Sequence, residues 1–194
     1  MAEKVLVLGS SHINHLKTFV RQRGCTDFNF HPPIHVHLFG ISGGRLQASS
    51  HVRLLKNEIR AVKPNALVIH IGGNDLDRKN VTEDCVQTLC YQLVSLCAML
   101  IRRFNLRKIT ILQLMPRVRT RHVPVHSYNN LVIAFNKELK RAVSAHPKIK
   151  YWTISGIKQT KQQIFSDEVH LNNLGLVKYY KNVRGAIINS MKMP

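Results

Sequence analysis

Acid is scarce in this chain: 10 Asp and Glu stand against 29 Lys and Arg in 194 residues, a formal charge of +19 and a pI near 10.4. A surface of that sign attracts polyanions, so RNA or DNA and anionic lipid headgroups are the expected partners, held by salt-sensitive contacts. Cysteine is sparse as well. Cys25, Cys85, Cys90 and Cys97 form no CxxC pair and are too few for a disulfide-stapled secreted domain. Free buried thiols in a reducing, intracellular and cytoplasmic setting are expected instead. No run approaches the roughly 18 apolar residues of a membrane span, and Glu3 and Lys4 interrupt the apolar stretch that a signal peptide would need. His31, His35 and His37 have no acidic or cysteine ligand beside them, and two same-face histidines do not make a metal site.

What is present is an ordinary apolar fraction of 44%, enough for one domain over residues 1–194 with a sizeable core. Val5-Leu6-Val7-Leu8 is a short continuous apolar run closed by Gly9, the pattern of a strand buried on both faces. Ile13, Leu16 and Val20 then follow at helical spacing. The same unit recurs. Strands are expected at 34–39, 66–71, 109–114 and 149–154. Helical stripes are expected on Val52, Leu55, Ile59 and Val62, on Val86 to Ile101, around 131–143, and from Leu176 to Met191. Alternation of this kind calls for an α/β fold, a five-stranded parallel sheet between two helical layers, with ligand sites at the strands' carboxyl ends.

Three glycine-rich polar blocks fall directly after strands, on that rim: Gly9-Ser10-Ser11-His12, Gly40-Ile41-Ser42-Gly43-Gly44 and Gly72-Gly73-Asn74-Asp75. A fourth, Ser166-Asp167-Glu168-Val169-His170-Leu171, precedes the closing helix and sets an acid three residues ahead of a histidine. A serine hydroxyl is a poor nucleophile until a base takes its proton, and the base must be held in one tautomer. Ser11, His170 and Asp167 fit these three parts. A tetrahedral intermediate also needs donors for its oxyanion. The N–H of Ser11 at a helix start, the N–H of Gly43 and the side-chain amide of Asn74 are placed to supply them.

In order and context the four blocks resemble those of the SGNH, or GDSL-type, hydrolases. The resemblance spans nearly the whole chain and implies a serine carboxylester hydrolase acting on an acyl-ester substrate through an acyl-enzyme. It also implies a flavodoxin-like strand order and no metal or other cofactor. It places the nucleophile on Ser11, the acid and base on Asp167 and His170, and the oxyanion hole on Ser11, Gly43 and Asn74. One departure is plain: Ser10 stands where the family's first block usually has aspartate. A narrower resemblance, in size and basic character, is to the esterase domain of first-reading-frame proteins of some non-LTR retrotransposons. That would make the chain part of a larger protein whose other parts self-associate and bind RNA.

Several residues compete for attention. Gly40 to Gly44 also satisfies G-x-S-x-G, with Ser42 as a rival nucleophile, but that arrangement leaves Ser11 without a role. His12 follows the nucleophile and points about 100° away from it on a helix, which suits packing better than base catalysis. Asp75 and Asp77 suit loop hydrogen bonding. The loop bearing Arg117, Arg119 and Arg121 follows the fourth strand and is expected to bind an anionic substrate group. A second reading makes the chain a basic nucleic-acid or membrane-surface module on a hydrolase fold with a vestigial triad.

Overall fold

Five short apolar runs become the strands β1 (Lys4–Gly9), β2 (His35–Gly40), β3 (Ala66–His70), β4 (Lys108–Leu112) and β5 (Ile149–Trp152). In the computed structural model, which describes residues 3–31, 34–157, 162–167 and 169–191, they form one sheet in the order β2-β1-β3-β4-β5. Every pairing is parallel. The helices are α1 (Ser11–Gln22), α2 (Ser49–Val62), α3 (Gly73–Leu76), α4 (Glu83–Phe104), α5 (Val125–Val143) and α6 (Asn173–Met191).

Side chains alternate across each strand, so the sheet feeds two cores. Leu6, Leu8, Leu67, Ile69, Ile109 and Ile111 face a layer of α2, α4 and α5. Val5, Val7, Val68 and Leu112 face α1 and α6. The helix α4 carries the stripe Val86, Leu89, Cys90, Leu93, Cys97, Leu100 and Ile101, all buried. By length and mean hydropathy, 1.4 over 18 residues, this helix is apolar enough to cross a membrane, which the search for unbroken apolar runs did not anticipate. Its stripe is covered by the sheet and by α5. Cys25, Cys90 and Cys97 are buried free thiols, whereas Cys85, in the first turn of α4, is only partly buried.

Three boundaries differ most from expectation. Helix α5 begins at Val125, six residues before its apolar stripe starts, with Pro124 capping it. Its early polar residues include Asn129, whose amide brackets the backbone of Arg117 with bonds of 3.0 and 2.9 Å, so a polar side chain there is internal. Leu114 and Ile154 are buried but lie beyond the ends of β4 and β5.

The end of β1 is the tightest point of the sheet. A methyl group on Gly9 would fall on the His70 carbonyl oxygen and 2.7 Å from Ile13 Cγ1, and only glycine lets α1 leave the strand so close to β3. Gly9→Ala should therefore lower unfolding stability by about 1–3 kcal/mol through overpacking, read as a lower urea midpoint at unchanged slope. A midpoint equal to the parent's would show that the junction relaxes freely.

Candidate active site

Ser11 opens α1 immediately after β1, with Ser10 as the extended N-cap residue. The Ser10 N–H donates to the His70 carbonyl (3.2 Å) and its own carbonyl accepts from Ile13 (3.0 Å), which fixes the turn. His170 comes from the segment ahead of α6. There Ser166 N–H donates to the His170 carbonyl and Leu171 bridges Phe165, forming a small closed loop. Glu168 lies outside the described residues. Although 159 positions apart, the Ser11 hydroxyl and His170 Nε2 are 2.9 Å from each other. On the far side of the ring, His170 Nδ1 is 2.7 Å from Asp167 Oδ2. A carboxylate only accepts, so Nδ1 carries the proton and Nε2 is the acceptor that faces the serine.

Asp167 is more exposed than its partner, 57% against 22% of the side chain. What burial it has works to raise its carboxyl. The hydrogen bonds from the His170 ring and from the backbone N–H groups of His170 and Val169 outweigh that and bring it down to about 2. Asp167 is thus an ionised acceptor at any ordinary pH.

The second and third blocks meet beside Ser10. The Asn74 amide donates to the Gly44 carbonyl at 3.1 Å, and a methyl group on Gly44 would lie 3.4 Å from the Ser10 Cα. The close approach anticipated at Gly43 is therefore made by Gly44. Gly43 has open space around it and needs glycine because its φ is +66°. Among the described residues, the N–H groups of Ser11 and Gly43 have no hydrogen-bond acceptor. Ser42 has no histidine on it; its hydroxyl only receives a long 3.5 Å contact from Asn14.

Arg117 is not the anion-binding residue expected of the basic loop. It is 8% exposed, and its guanidinium donates to Asp77 Oδ2 at 2.9 Å and to Asn74 Oδ1 at 2.7 Å while lying over the Tyr128 ring. A buried guanidinium so placed faces inward because Asp77 would otherwise be a lone buried charge. Asp77 also accepts the backbone N–H groups of Arg121 and His122, which folds the loop back. Asp75 does the same for the second block, accepting from Leu46 and Gln47 at 2.8 and 2.9 Å. The side chains of Arg119 and Arg121 are exposed.

Histidines surround His170. His12 is buried, as its packing role required, with its ring 5.6 Å from that of His170. Sequence reasoning missed His15, whose ring stacks on His170 at 4.3 Å and 6°. The signal was its position four residues after Ser11 on one helix face. His70, at the end of β3, shares a 2.5 Å hydrogen bond with the Tyr179 hydroxyl. Burial lowers His12 well below the usual imidazole range, with His70 and Arg117 adding to it. Burial likewise takes His70 down to about 4, against the pull of a bond with the Gln113 backbone. Both rings are neutral. No group of three or more His, Cys, Asp or Glu able to hold a metal occurs among the described residues.

A parallel sheet in this order with these blocks on its rim defines an SGNH-type hydrolase. The chain belongs to the GDSL-like Lipase/Acylhydrolase family, whose model matches residues 16–176, and is a carboxylic ester hydrolase. The match begins just after the first block. Solved structures share the fold. A GDSL-like lipase from Bacteroides thetaiotaomicron superposes with a TM-score of 0.71 at 16% identity, covering 97% of this chain and 89% of its own. An acetylxylan esterase from Geobacillus stearothermophilus gives 0.69 at 15%, covering 95% and 94%. A lipase/acylhydrolase from Enterococcus faecalis gives 0.68 at 17%, covering 99% and 98%. No curated protein sequence matches at comparable stringency.

Two outcomes follow from these buried groups. Arg117→Met should cost about 3–5 kcal/mol by stranding Asp77, and adding Asp77→Asn should recover much of that; a single variant within 1 kcal/mol of the parent by urea unfolding would refute the pairing. His70 binds its proton at about 4 when folded and at 6.5 when unfolded. Its contribution is therefore complete above pH 6.5 and is lost as pH falls toward 4, by about 3 kcal/mol. His70→Gln should flatten the stability profile in that window. An unchanged slope would mean that other groups account for the acid sensitivity.

Proposed function

We propose that the chain hydrolyses short-acyl esters through an acyl-enzyme on Ser11, with His170 as general base and Asp167 orienting it. The contact of His170 Nε2 with the Ser11 hydroxyl, backed by Asp167 on Nδ1, carries the reading. As Ser11 Oγ bonds to the ester carbonyl carbon, its proton passes to Nε2. The imidazolium then returns that proton to the departing alcohol as the carbonyl re-forms. Water, deprotonated by the same nitrogen, reverses the sequence and frees the acid.

The negative charge of each tetrahedral intermediate is assigned to the N–H groups of Ser11 and Gly43 and the Asn74 amide. Arg117 supports the last of these. By donating to Asn74 Oδ1 it fixes which way the amide points and polarises its N–H. The acetylxylan esterase structures support the triad assignment, being catalytic mutants at an aspartate, a serine and a histidine, the aspartate three residues ahead of the histidine as Asp167 is here. The exposure of Asp167 and His170 suits an acyl group carried on a bulky alcohol. The narrower reading, a domain of a retrotransposon first-frame protein, draws on the basic charge; a reverse-transcriptase frame downstream of the coding sequence would establish it.

Hydrolysis of p-nitrophenyl acetate provides the test. Ser11→Ala and His170→Ala should each lower kcat/KM by about 10³-fold or more, and the double variant should be no worse than either, since the residues act as a unit. Ser42→Ala should stay within about threefold, as expected of a residue outside that unit. Activity surviving Ser11→Ala sinks the mechanism.

A further inference from the structure

Four of the cations fall in one row. Arg53, Lys56 and Arg60 of helix α2, with Lys63 at its C-cap, lie along one edge at intervals of three, four and three residues, a row about 15 Å long at the helical rise. This edge borders two adjoining cavities that share Arg60. The larger, about 580 Å³, lies between α2 and α4. Val52, Leu46 and Leu96 supply its apolar surface. The smaller, about 380 Å³, has Ile59, Pro64 and Phe104 with Arg60 and Lys63. Among the described residues, no aspartate or glutamate lines either one. The larger volume is within the range of small-ligand sites.

We infer that this groove binds single-stranded nucleic acid, with the α2 cations on the phosphates and the cavity walls receiving bases. Three features favour that occupant. The cations form a line, which matches a chain of regularly spaced negative charges better than a single headgroup. Neutral groups that donate and accept, Gln47, Gln92 and Ser49, line the same cavity and suit base edges. Gln47 and Gln92 already bond to each other at 3.3 Å across it. Phe104 offers an aromatic surface, with the Arg103 guanidinium 6.0 Å from its centroid. The apolar surface is recessed between helices, whereas a bilayer would require it to protrude. The groove is remote in sequence from Ser11 and His170, so the site does not depend on the esterase reading.

The test is fluorescence anisotropy with a labelled oligouridylate of about 12 nucleotides across a salt series. Four phosphate contacts predict a log–log salt slope of about −2.8, from about 0.7 per contact on a single strand. Lys56→Gln with Arg60→Gln should halve that slope and weaken binding roughly 20-fold at about 0.1 M salt, the two lines converging near 1 M. Lys137→Gln with Lys140→Gln, which removes equal charge from α5, should change affinity less than about twofold, as rim charges away from a contact do. Equal losses in the two pairs, or a slope unchanged by the groove pair, overturns the site. So does binding to phosphatidylserine vesicles that depends on the groove pair while the oligonucleotide fails to bind. Because both pairs should hydrolyse p-nitrophenyl acetate at the parent rate, the outcome is independent of whether Ser11 is the nucleophile.

Discussion

The rim of the sheet depends on one buried carboxylate. Asp77 is almost sealed from solvent, and a lone charge there would be costly enough to unfold the turn that carries it. Arg117 neutralises it, and because a guanidinium is a planar fork with several donors, the same group reaches Asn74. The backbone N–H groups of Arg121 and His122 complete the shell. Asp75, two residues earlier, takes the other direction and holds Leu46 and Gln47 by their N–H groups. Burial raises its carboxyl, and those N–H bonds work against the rise. The turn after β3 therefore ties the loop after β2 to the loop after β4, and Asn74 sits at the knot.

The placement of the serine and the histidine has a different origin. β1 lies between β2 and β3, so the chain leaves it where the sheet's winding changes direction, and the strand ends there leave a crevice. Ser11 is delivered into that crevice by the start of α1. His170 arrives from the segment ahead of α6. α1 and α6 pack on the same face of the sheet, sharing the core formed by Val5, Val7, Ile13, Leu16, Tyr179 and Val183. Their common floor brings two residues from opposite ends of the chain within hydrogen-bond reach.

The strands were legible because parallel strands buried on both faces read as unbroken apolar runs, as Val5 to Leu8 and Ala66 to Ile69 do. The site blocks were legible because each follows a strand directly and pairs glycine with a polar side chain. Two parts escaped. Helix α5 contains buried asparagines that serve backbone groups: Asn129, in its second turn, holds Arg117, and Asn136, seven residues on, holds Leu114 by bonds of 2.9 Å in each direction. A polar residue used internally looks in sequence like a solvated face. Arg117 escaped for a related reason. In its run of alternating cations nothing local separates it from Arg119 and Arg121, and its partner Asp77 is 40 residues away. Only burial distinguishes the structural cation from its exposed neighbours.

That distinction bears on how so basic a chain can run acyl chemistry. A base that must become imidazolium is hindered by positive charge close by. The rings beside His170 are those of His12 and His15, both held toward their neutral forms chiefly by burial, while His70 behind them is also neutral. The buried positive charge on the rim, that of Arg117, is compensated by Asp77; it helps to keep His12 and His70 neutral and polarises the Asn74 amide, on the side where negative charge would develop. The cationic row on α2 borders the groove between α2 and α4. The groove and the Ser11–His170 pair share no lining residue, so the proposed polyanion contact and the proposed proton transfer draw on different side chains.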